Sequence, residues 1–386
     1  MNQILAVHTE SVGTLAAASD LAEQINAGLD GTPDALVVFA SSAFDYAVLL
    51  KELKARCNPT LLVGSSSAGE FTNGRSGSGT ASALAIRSDE MLLSASLGTG
   101  ISRDARAAAR EMVAGFKGLD GQHPYRAALV MTDALAGHAE ALVDELTLLT
   151  SGRYLLAGGG AGDDAQFTRT HVFFGTEAHS DAAVAMEILS QKPIGVGVGH
   201  GWLPAGKAML ATEVSGMRLV GLDGMPAYDA FEQHARDTGQ AFDRTSPMPF
   251  FLHNILGIDT GAGYRLRVPL AVNPDGSIEC AAEIPEFALV HIMKTTGESA
   301  TIAAARATDA AVQALETHPP GAAMFFDCVA TRLRLGDVFD DELQSVGEAL
   351  GGAPFVGCNT YGQIARSEGQ FSGFHNCTAV VLVLPG

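Results

Sequence analysis

The sequence has few of the features that mark secreted, zinc-binding or membrane proteins. Its five cysteines are widely spaced, odd in number and without a Cys-x-x-Cys pair, which argues against a disulfide framework and a structural zinc site. No apolar run approaches the roughly 20 residues of a membrane-spanning helix. The amino terminus also lacks the basic region of a secretory signal. We therefore expect a cytoplasmic protein that does not bind a membrane.

Positive charge is also scarce. The chain has 24 Lys and Arg residues against 43 Asp and Glu residues, which gives a formal net charge of -19. Such a field repels phosphate backbones, so we expect no nucleic-acid partner. The apolar share of 47% is ample for the cores of the two or three domains expected in 386 residues.

Nucleotide-binding motifs are missing from the glycine-rich segments. GGGAGD (158–163) and GVGVGHG (195–201) place Asp163 and His200 where a dinucleotide fingerprint needs its last glycine. No phosphate-binding loop occurs either, since an acidic residue follows Gly69 in the turn where such a loop needs lysine. The glycine-rich segments are therefore not predicted to bind nucleotides.

Hydrolase motifs are incomplete as well. GSSSAG (64–69) has Ala68 where a serine-hydrolase elbow needs its second glycine. A cysteine hydrolase would need Cys358 as nucleophile and His375 as its base, and we keep this pair as an alternative. We expect a protein that binds a ligand without transforming it.

One pattern does occur three times: an apolar strand, a helix, a second apolar strand, and a glycine turn that ends in a polar residue. Short apolar runs of this kind are typical of strands covered on both faces, and strand–helix–strand order predicts parallel pairing. Aligned on the last glycine, Gly69, Gly162 and Gly362 match and are followed by Glu70, Asp163 and Gln363. The second strands and turns of the three copies are LLVGSSSAGE (61–70), LLAGGGAGDD (155–164) and PFVGCNTYGQ (354–363).

The repeat extends to earlier and later strands. The copies span about 3–86, 91–189 and 287–384, and the third begins with the apolar run FALVHIM (287–293). We expect an α/β fold of internally repeated mixed sheets with helical layers in two related lobes, joined by a β-rich segment. The predicted domains are an amino-terminal lobe (1–189), the bridging segment (190–286) and a carboxy-terminal lobe (287–386).

The three turns suggest a ligand site, because ligands collect beyond the carboxyl ends of parallel strands. Glu70 is a candidate partner for a ligand ammonium group and Arg267 for a carboxylate, which together suit an amino-acid-type molecule. The alternative is that the turn serines and Asn359 only cap their own turns. The candidate polar groups of the turns are Ser65, Ser66, Ser67, Asn359, Thr360 and Tyr361.

Segments such as LLVGSSSAGEF (61–71) near one end of the chain and FHNCTAVVLVL (374–384) at the other together resemble the FIST family. The resemblance covers nearly the whole chain. Two residues depart from its pattern: Gln363 stands where glutamate is frequent, and Cys377 where glutamine is frequent. The resemblance implies a bacterial sensory module that binds a small ligand. The matching segments include LLVGSSSAGEF (61–71), VGVGHGWLPAGK (196–207), EVSGMRLVGLDGMPAYDAF (213–231), PFVGCNTYGQIA (354–365) and FHNCTAVVLVL (374–384).

The resemblance also implies signalling partners and a cofactor. Since no kinase or cyclic-di-GMP segment is recognisable, the partner is expected in trans: a histidine kinase, or a diguanylate cyclase or phosphodiesterase. A homodimer is compatible with such a role. A subset of the family binds haem b and senses nitric oxide, and the candidate axial ligands here are His200 and His253. The family patterns around His200, Trp202 and His375 add these residues to the candidate ligand site.

Overall fold

The computed structural model describes residues 2–367 and 372–386, and its fold is α/β. Mixed six-stranded sheets with helices packed on one face confirm the fold class expected from the sequence. The first repeat unit contains β1 (Asn2–Thr9), α1 (Thr14–Gly28), β2 (Ala35–Ala40), α2 (Tyr46–Cys57), β3 (Leu61–Ser66), β4 (Glu70–Thr72), β5 (Arg75–Gly77) and β6 (Ala81–Ser88).

The second unit follows directly and has the same order of elements. It contains β7 (Met91–Thr99), α3 (Ile101–Ala114), β8 (Tyr125–Thr132), α4 (Ala139–Leu149), β9 (Leu155–Gly160), β10 (Val172–Phe174), β11 (Glu177–His179) and β12 (Ala182–Ser190). Single turns of 3-10 helix lie at Gly118–Asp120, Ala134–Ala136 and Gly336–Val338.

A middle domain (200–296) is inserted into the third unit, after that unit's first strand, β13 (Gly195–Gly199). The middle domain contains β14 (Leu203–Pro204), β15 (Met209–Ser215), β16 (Arg218–Leu222), β17 (Met225–Pro226), α5 (Ala227–Thr238), α6 (Met248–Phe251), β18 (Ile255–Asp259), β19 (Tyr264–Arg267), β20 (Pro269–Val272), β21 (Ile278–Cys280) and β22 (Leu289–Lys294). The third unit resumes with α7 (Gly297–Gln313), β23 (Pro320–Cys328), α8 (Val329–Leu335), α9 (Phe339–Ala349), β24 (Phe355–Thr360), β25 (Gln363–Arg366), β26 (Ser372–His375) and β27 (Ala379–Pro385).

Four strands have the same arrangement in each unit. The orders are β1-β6-β2-β3, β7-β12-β8-β9 and β13-β27-β23-β24. In each order, the last two strands are parallel and are connected through helical segments. The first two strands of each order are antiparallel. This agrees with the expectation that strand–helix–strand order gives parallel pairing.

Each sheet is completed by a hairpin from a different unit. The hairpin β10–β11 of the second unit joins β3, β25–β26 of the third unit joins β9, and β4–β5 of the first unit joins β24. The exchange is cyclic, so each unit gives one hairpin and receives another. Separating any unit would therefore break the backbone ladders of two sheets.

The expected first strand of the third copy, at 287–293, is wrong. The structure places β22 in the sheet of the middle domain, where it pairs with β14, β15 and β18. The first strand of the third unit is β13, which pairs with β27. The apolar run of β22 stands directly before α7, and this position favours it as the first strand of the third copy. The middle domain separates the true first strand, β13, from α7, and no local feature of the sequence indicates such an insertion.

The glycines of β13 allow α7 to lie directly on this strand. A Cβ atom at Gly195 would come within 1.8 Å of the Ala311 carbonyl oxygen, and one at Gly197 within 1.7 Å of the Ala307 carbonyl oxygen. Alternating apolar residues and glycines in a strand predict a close approach of the backbone by another strand or by a ligand. The approaching element is a helix rather than a strand or a ligand.

The three six-stranded sheets share one core. Their inner faces meet in a single apolar cluster, in which the rings of Phe39 and Phe326 form a T-shaped pair at 5.7 Å. The outer faces are covered by the helices of each unit. The middle domain is β-rich, as expected, with α5 and α6 packed on one face of its nine-stranded sheet. Within the described ranges, no helix combines the length and apolar character needed to cross a membrane.

Candidate functional site

The three glycine turns meet at one place, although they lie far apart in the sequence. Each turn donates a backbone hydrogen bond to the next, so the bonds form a closed ring of three. Such a ring fixes the relative positions of the ends of β3, β9 and β24. The bonds run from Ala68 N to the Asn359 carbonyl (3.0 Å), from Gly162 N to the Ser66 carbonyl (3.0 Å), and from Tyr361 N to the Gly160 carbonyl (2.9 Å).

The structure corrects the alignment of the three turns. A glycine approaches the neighbouring strand in each unit: Cβ atoms at Gly64, Gly158 and Gly357 would lie 1.8–2.0 Å from the carbonyl oxygen opposite. These glycines are therefore equivalent, and the second turn is displaced by one residue from the alignment on the last glycine. The polar residue that corresponds to Glu70 and Gln363 is Asp164, not Asp163.

A cavity of about 410 Å³ opens beside the ring of turns. All three units contribute to its wall, and we call it the turn cavity. Its volume lies within the usual range of roughly 300–1,000 Å³ for small-molecule sites. The charged and polar residues of its wall are Ser76, Ser78, Asp164, Arg332, Asp337 and Asp340.

Arg332 on α8 is a cation at this site that the sequence analysis did not single out. Its guanidinium group donates to Asn359 Oδ1 (3.2 Å) and to Ser78 Oγ (3.0 Å). Gly69 makes room for it, since a Cβ atom there would lie 1.5 Å from Arg332 Nη1. Burial lowers the Arg332 pKa, although nearby Glu70 counters this effect. The only sequence signal was an arginine soon after the carboxyl end of β23.

Glu70 lies behind this arginine and is fully buried. Its carboxylate accepts hydrogen bonds from the hydroxyl groups of Ser67 and Thr80, the latter at 2.6 Å. Burial raises the Glu70 pKa to about 7, because the ionised form loses its hydration. Glu70 is therefore close to half-protonated at neutral pH.

Asp164 connects the second unit to the first. Its Oδ2 atom accepts from Ser41 Oγ (2.8 Å), from Ser42 N (2.7 Å) and from Ser42 Oγ (2.5 Å). Its Oδ1 atom is buried and has no hydrogen-bond partner among the described residues. The neighbouring Asp163 has a structural role, because it accepts three backbone N–H bonds from residues 167–169.

The three turn serines are buried, and the hydroxyl group of Ser67 bonds within its own turn, as the capping alternative predicts. Ser66 Oγ accepts a hydrogen bond from His171 N at 2.9 Å, and Ser67 donates to Glu70. Ser65 is buried in the β3–β10 ladder. None of the three borders the turn cavity.

The polar residues of the third turn are also engaged with protein groups. Asn359 holds Arg332 through Oδ1, while its buried Nδ2 atom has no partner within the described chain. Thr360 accepts from Gln363 Nε2 at 2.9 Å. The Tyr361 hydroxyl donates to Asp163 and its ring stacks on Phe167, with centroids 4.4 Å apart. Asn359 is the member of this group that reaches the turn cavity through Arg332.

Arg267 does not lie at the turns, which corrects its assignment as a ligand carboxylate partner. Its guanidinium group is 1% exposed and binds Glu140 of the second unit at 2.7 Å. It also donates to the carbonyls of Glu283 (2.7 Å) and Phe374 (3.3 Å). The charge of Arg267 is thus used to attach the middle domain to the second and third units.

His200 and Trp202 also lie at this domain boundary rather than at the turns. His375 lies between the two, since it pairs with Gln363 at the end of the third turn and is close to Arg265, Arg267 and His200. His200 Nε2 is 3.0 Å from the Tyr264 carbonyl, and Trp202 N donates to His200 Nδ1 at 3.3 Å. His375 is buried, and its pKa falls to about 3 through desolvation and the nearby charges of Arg265 and Arg267.

The surroundings of the two candidate axial histidines do not fit haem. Both ring nitrogens of His200 face backbone groups, and the cavity that this residue lines has a volume of about 10 Å³. That volume is about the size of one water molecule. His253 is a surface residue at the end of α6, whereas haem needs a large apolar pocket.

The cysteine-hydrolase alternative does not fit the structure either. Cys358 is fully buried on β24, and burial raises its pKa well above the usual value. His375 lies on β26, in a different sheet. A buried, protonated thiol without access to solvent is not a nucleophile.

The comparisons with known proteins identify the family. The FIST N domain matches residues 34–225, and the FIST C domain matches residues 227–366. The chain belongs to the FIST family. The resemblance inferred from the sequence is thereby confirmed, and FIST domains are small-ligand sensors of signal transduction.

The two FIST matches meet inside the middle domain, between β17 and α5. A search of curated proteins found no match for this FIST protein. Among solved structures, cyanuric acid hydrolase from A. caulinodans aligns over 100% of this chain and 99% of its own, with 9% identity and a TM-score of 0.34. A similarity of that size supports no conclusion about activity.

Proposed function

We propose that this FIST protein senses a small polar molecule in the turn cavity and does not transform it. The observation that carries the proposal is the meeting of three turns, one from each unit, beside a cavity of about 410 Å³. A ligand there would contact all three units at once. Its binding would therefore stabilise their mutual arrangement, which is how a sensor converts occupancy into a change of conformational populations.

The charges of the cavity suggest an amino-acid-type ligand. Arg332 uses two of its five N–H groups on Ser78 and Asn359, and its planar group suits a ligand carboxylate. Asp164 and Asp337 are carboxylates of the same wall and suit a ligand ammonium group. In this proposal Arg332 takes the role that the sequence analysis gave to Arg267.

The experiment is a thermal-shift screen of the twenty free amino acids, followed by calorimetry on each one that raises the melting temperature. We expect Arg332→Gln to weaken binding about 10- to 100-fold, because a hydrogen bond to a charged group contributes about 1.5–3 kcal/mol. The matched control is Arg236→Gln, which removes an exposed arginine paired with Glu232. Unchanged affinity in Arg332→Gln would contradict this site.

The signalling partner remains a proposal from the family. We propose that the protein acts in the cytoplasm, alone or as a homodimer, and reports in trans to a histidine kinase, a diguanylate cyclase or a phosphodiesterase. Affinity capture with the amino acid found in the screen, compared with capture without it, tests this. Capture of the same proteins by wild type and Arg332→Gln under both conditions would contradict ligand-dependent reporting.

Haem with nitric oxide is the alternative implied by the family resemblance, and the surroundings of His200 and His253 do not favour it. Its test is the visible spectrum after addition of hemin. A Soret band that disappears in His200→Ala or His253→Ala would restore this alternative.

A further inference from the structure

A second, smaller cavity lies between the third unit and the middle domain. Its volume is about 10 Å³, enough for roughly one water molecule. Its wall combines elements distant in sequence: the loop after β13, the carboxyl end of β23, α8, α9 and the start of β27. The polar or aromatic side chains of this wall include His200, Trp202, Asp327, Arg334, Glu342 and Cys377.

Two buried carboxyl groups line this cavity together, and each affects the pKa of the other. Asp327 at the end of β23 and Glu342 in the first turn of α9 are 2% and 1% exposed. Asp327 Oδ2 and Glu342 Oε2 find no donor among the residues that the structure describes. Two ionised carboxylates accept hydrogen bonds but cannot donate, so a contact between them is favourable only when one carries a proton.

Arg334 is the cation beside this pair. Its guanidinium carbon lies 5.5 Å from the centre of the Trp202 ring, a cation–π arrangement. Its Nε atom is buried and has no acceptor within the described chain. The charges of both acids act on Arg334, so the same guanidinium group is attracted by the ring and by the pair.

The other titratable groups around the pair are identifiable. Cys328 and Cys377 are buried next to it, on β23 and before β27, and His200 lies across the small cavity. His253 of the middle domain is near Arg334, and partial burial and then the charge of Arg334 lower the His253 pKa. The hydrogen bond with Cys377 lowers the Cys328 pKa to about 6, and burial raises the Glu342 pKa to about 7.

We propose that Asp327 and Glu342 together form a proton-binding site that controls the contact between Arg334 and Trp202. With the proton bound, the pair carries one negative charge at most, and Arg334 stays over the indole ring. Loss of the proton adds a second negative charge inside a low-dielectric site, which draws the guanidinium group from the ring toward the carboxylates. The contact between α8 and the middle domain then depends on pH.

Trp202 makes this proposal testable without a ligand. It is the single tryptophan of the sequence, so intrinsic fluorescence reports on this site alone. We expect the wild-type emission to change sigmoidally above pH 7, because the second ionisation of the pair follows that of Glu342, and the Asp327 pKa is raised well above its usual value. In Glu342→Gln and in Asp327→Asn, we expect the transition to disappear or to move by more than one pH unit.

Cys328→Ala removes the thiol next to Asp327 and should keep the fluorescence transition, and its loss in this variant would overturn the proposal. Two further controls address Glu70 and His253. Glu70→Gln removes another buried glutamate with a similar pKa, at the turn cavity, and should keep the wild-type midpoint. His253→Gln removes the histidine near Arg334 and should also keep it. A transition that either control abolishes would overturn the proposal, because the fluorescence would then follow another group.

Two further outcomes would also overturn the proposal: a wild-type emission that does not change with pH, and a Glu342→Gln protein that titrates like wild type. Circular dichroism establishes whether each variant folds. If both acid variants fail to fold, Arg334→Met decides the question. This variant keeps the acid pair but removes the cation, so the fluorescence transition should lose most of its amplitude. An unchanged amplitude would refute the role of Arg334.

Discussion

Replacing Glu70 with glutamine should change how the stability of the protein depends on pH. Glu70 is fully buried, and its pKa in the folded protein rises from 4.5 to about 7. The side-chain amide keeps the shape of the carboxyl group and can still bond the hydroxyl groups of Ser67 and Thr80, which rotate to donate or accept. The substitution therefore removes the ionisation and keeps the contacts.

The magnitude follows from the pKa difference between the folded and unfolded states. Each pKa unit corresponds to about 1.36 kcal/mol, so the rise from 4.5 to about 7 amounts to about 3 kcal/mol. Between these two pH values the folded protein holds the Glu70 proton and the unfolded chain does not. The contribution of Glu70 to the free energy of unfolding therefore falls as pH rises from about 4.5 to 7, and this loss persists above pH 7.

The assay is urea unfolding at a series of pH values from 4.5 to 8. The free energies of unfolding of wild type and Glu70→Gln should be similar at the acid end. At pH 8 the variant should be more stable by about 3 kcal/mol. Glu23→Gln, which changes an exposed glutamate on α1, should follow the wild-type curve. Parallel curves for wild type and Glu70→Gln over the whole range would refute the argument from burial.

Three further predictions concern the framework. Arg267→Met should lower the free energy of unfolding by about 3 kcal/mol, as measured by urea unfolding, because Glu140 then loses its buried arginine partner. Gly158→Ala should prevent folding or lower the melting temperature by more than 10 °C, because its Cβ would meet the Val130 carbonyl at 1.9 Å. Gly74→Ala, with open space around it, should cost only about 1 kcal/mol. Cys358 should react with iodoacetamide only after unfolding, as followed by mass spectrometry.

The repeated unit could be predicted because its signals are local. Alanine-rich runs predict helices near 11–29, 103–116 and 299–315, close to the observed α1, α3 and α7, and short apolar runs predict the parallel strand pairs. The glycine turns could also be predicted from the sequence, because only glycine fits where the backbone lies directly against a neighbouring strand. Helix propensity and close backbone approach both act within a few residues.

The site residues were only partly predictable. Glu70 and Asn359 belong to the turns that meet, and their part in ligand binding stays a prediction. Arg267 was the predicted partner of a ligand carboxylate, whereas the arginine that borders the turn cavity is Arg332. Both are arginines near strands, and residue type does not tell which of two distant segments folds back on the turns. His200 was similarly assigned to a ligand site but binds backbone groups at the domain boundary.

The sequence by itself determined the repeated α/β units, the turns at the ends of their strands and the family. Tertiary structure alone decided the cyclic exchange of hairpins, the place of β13 in the third unit and the arginine that borders the turn cavity. The physical reason is the range of the interactions. Periodicity and glycine conformation act between neighbours, whereas strand exchange depends on which of several equivalent sheet edges a hairpin can reach once the shared core has formed.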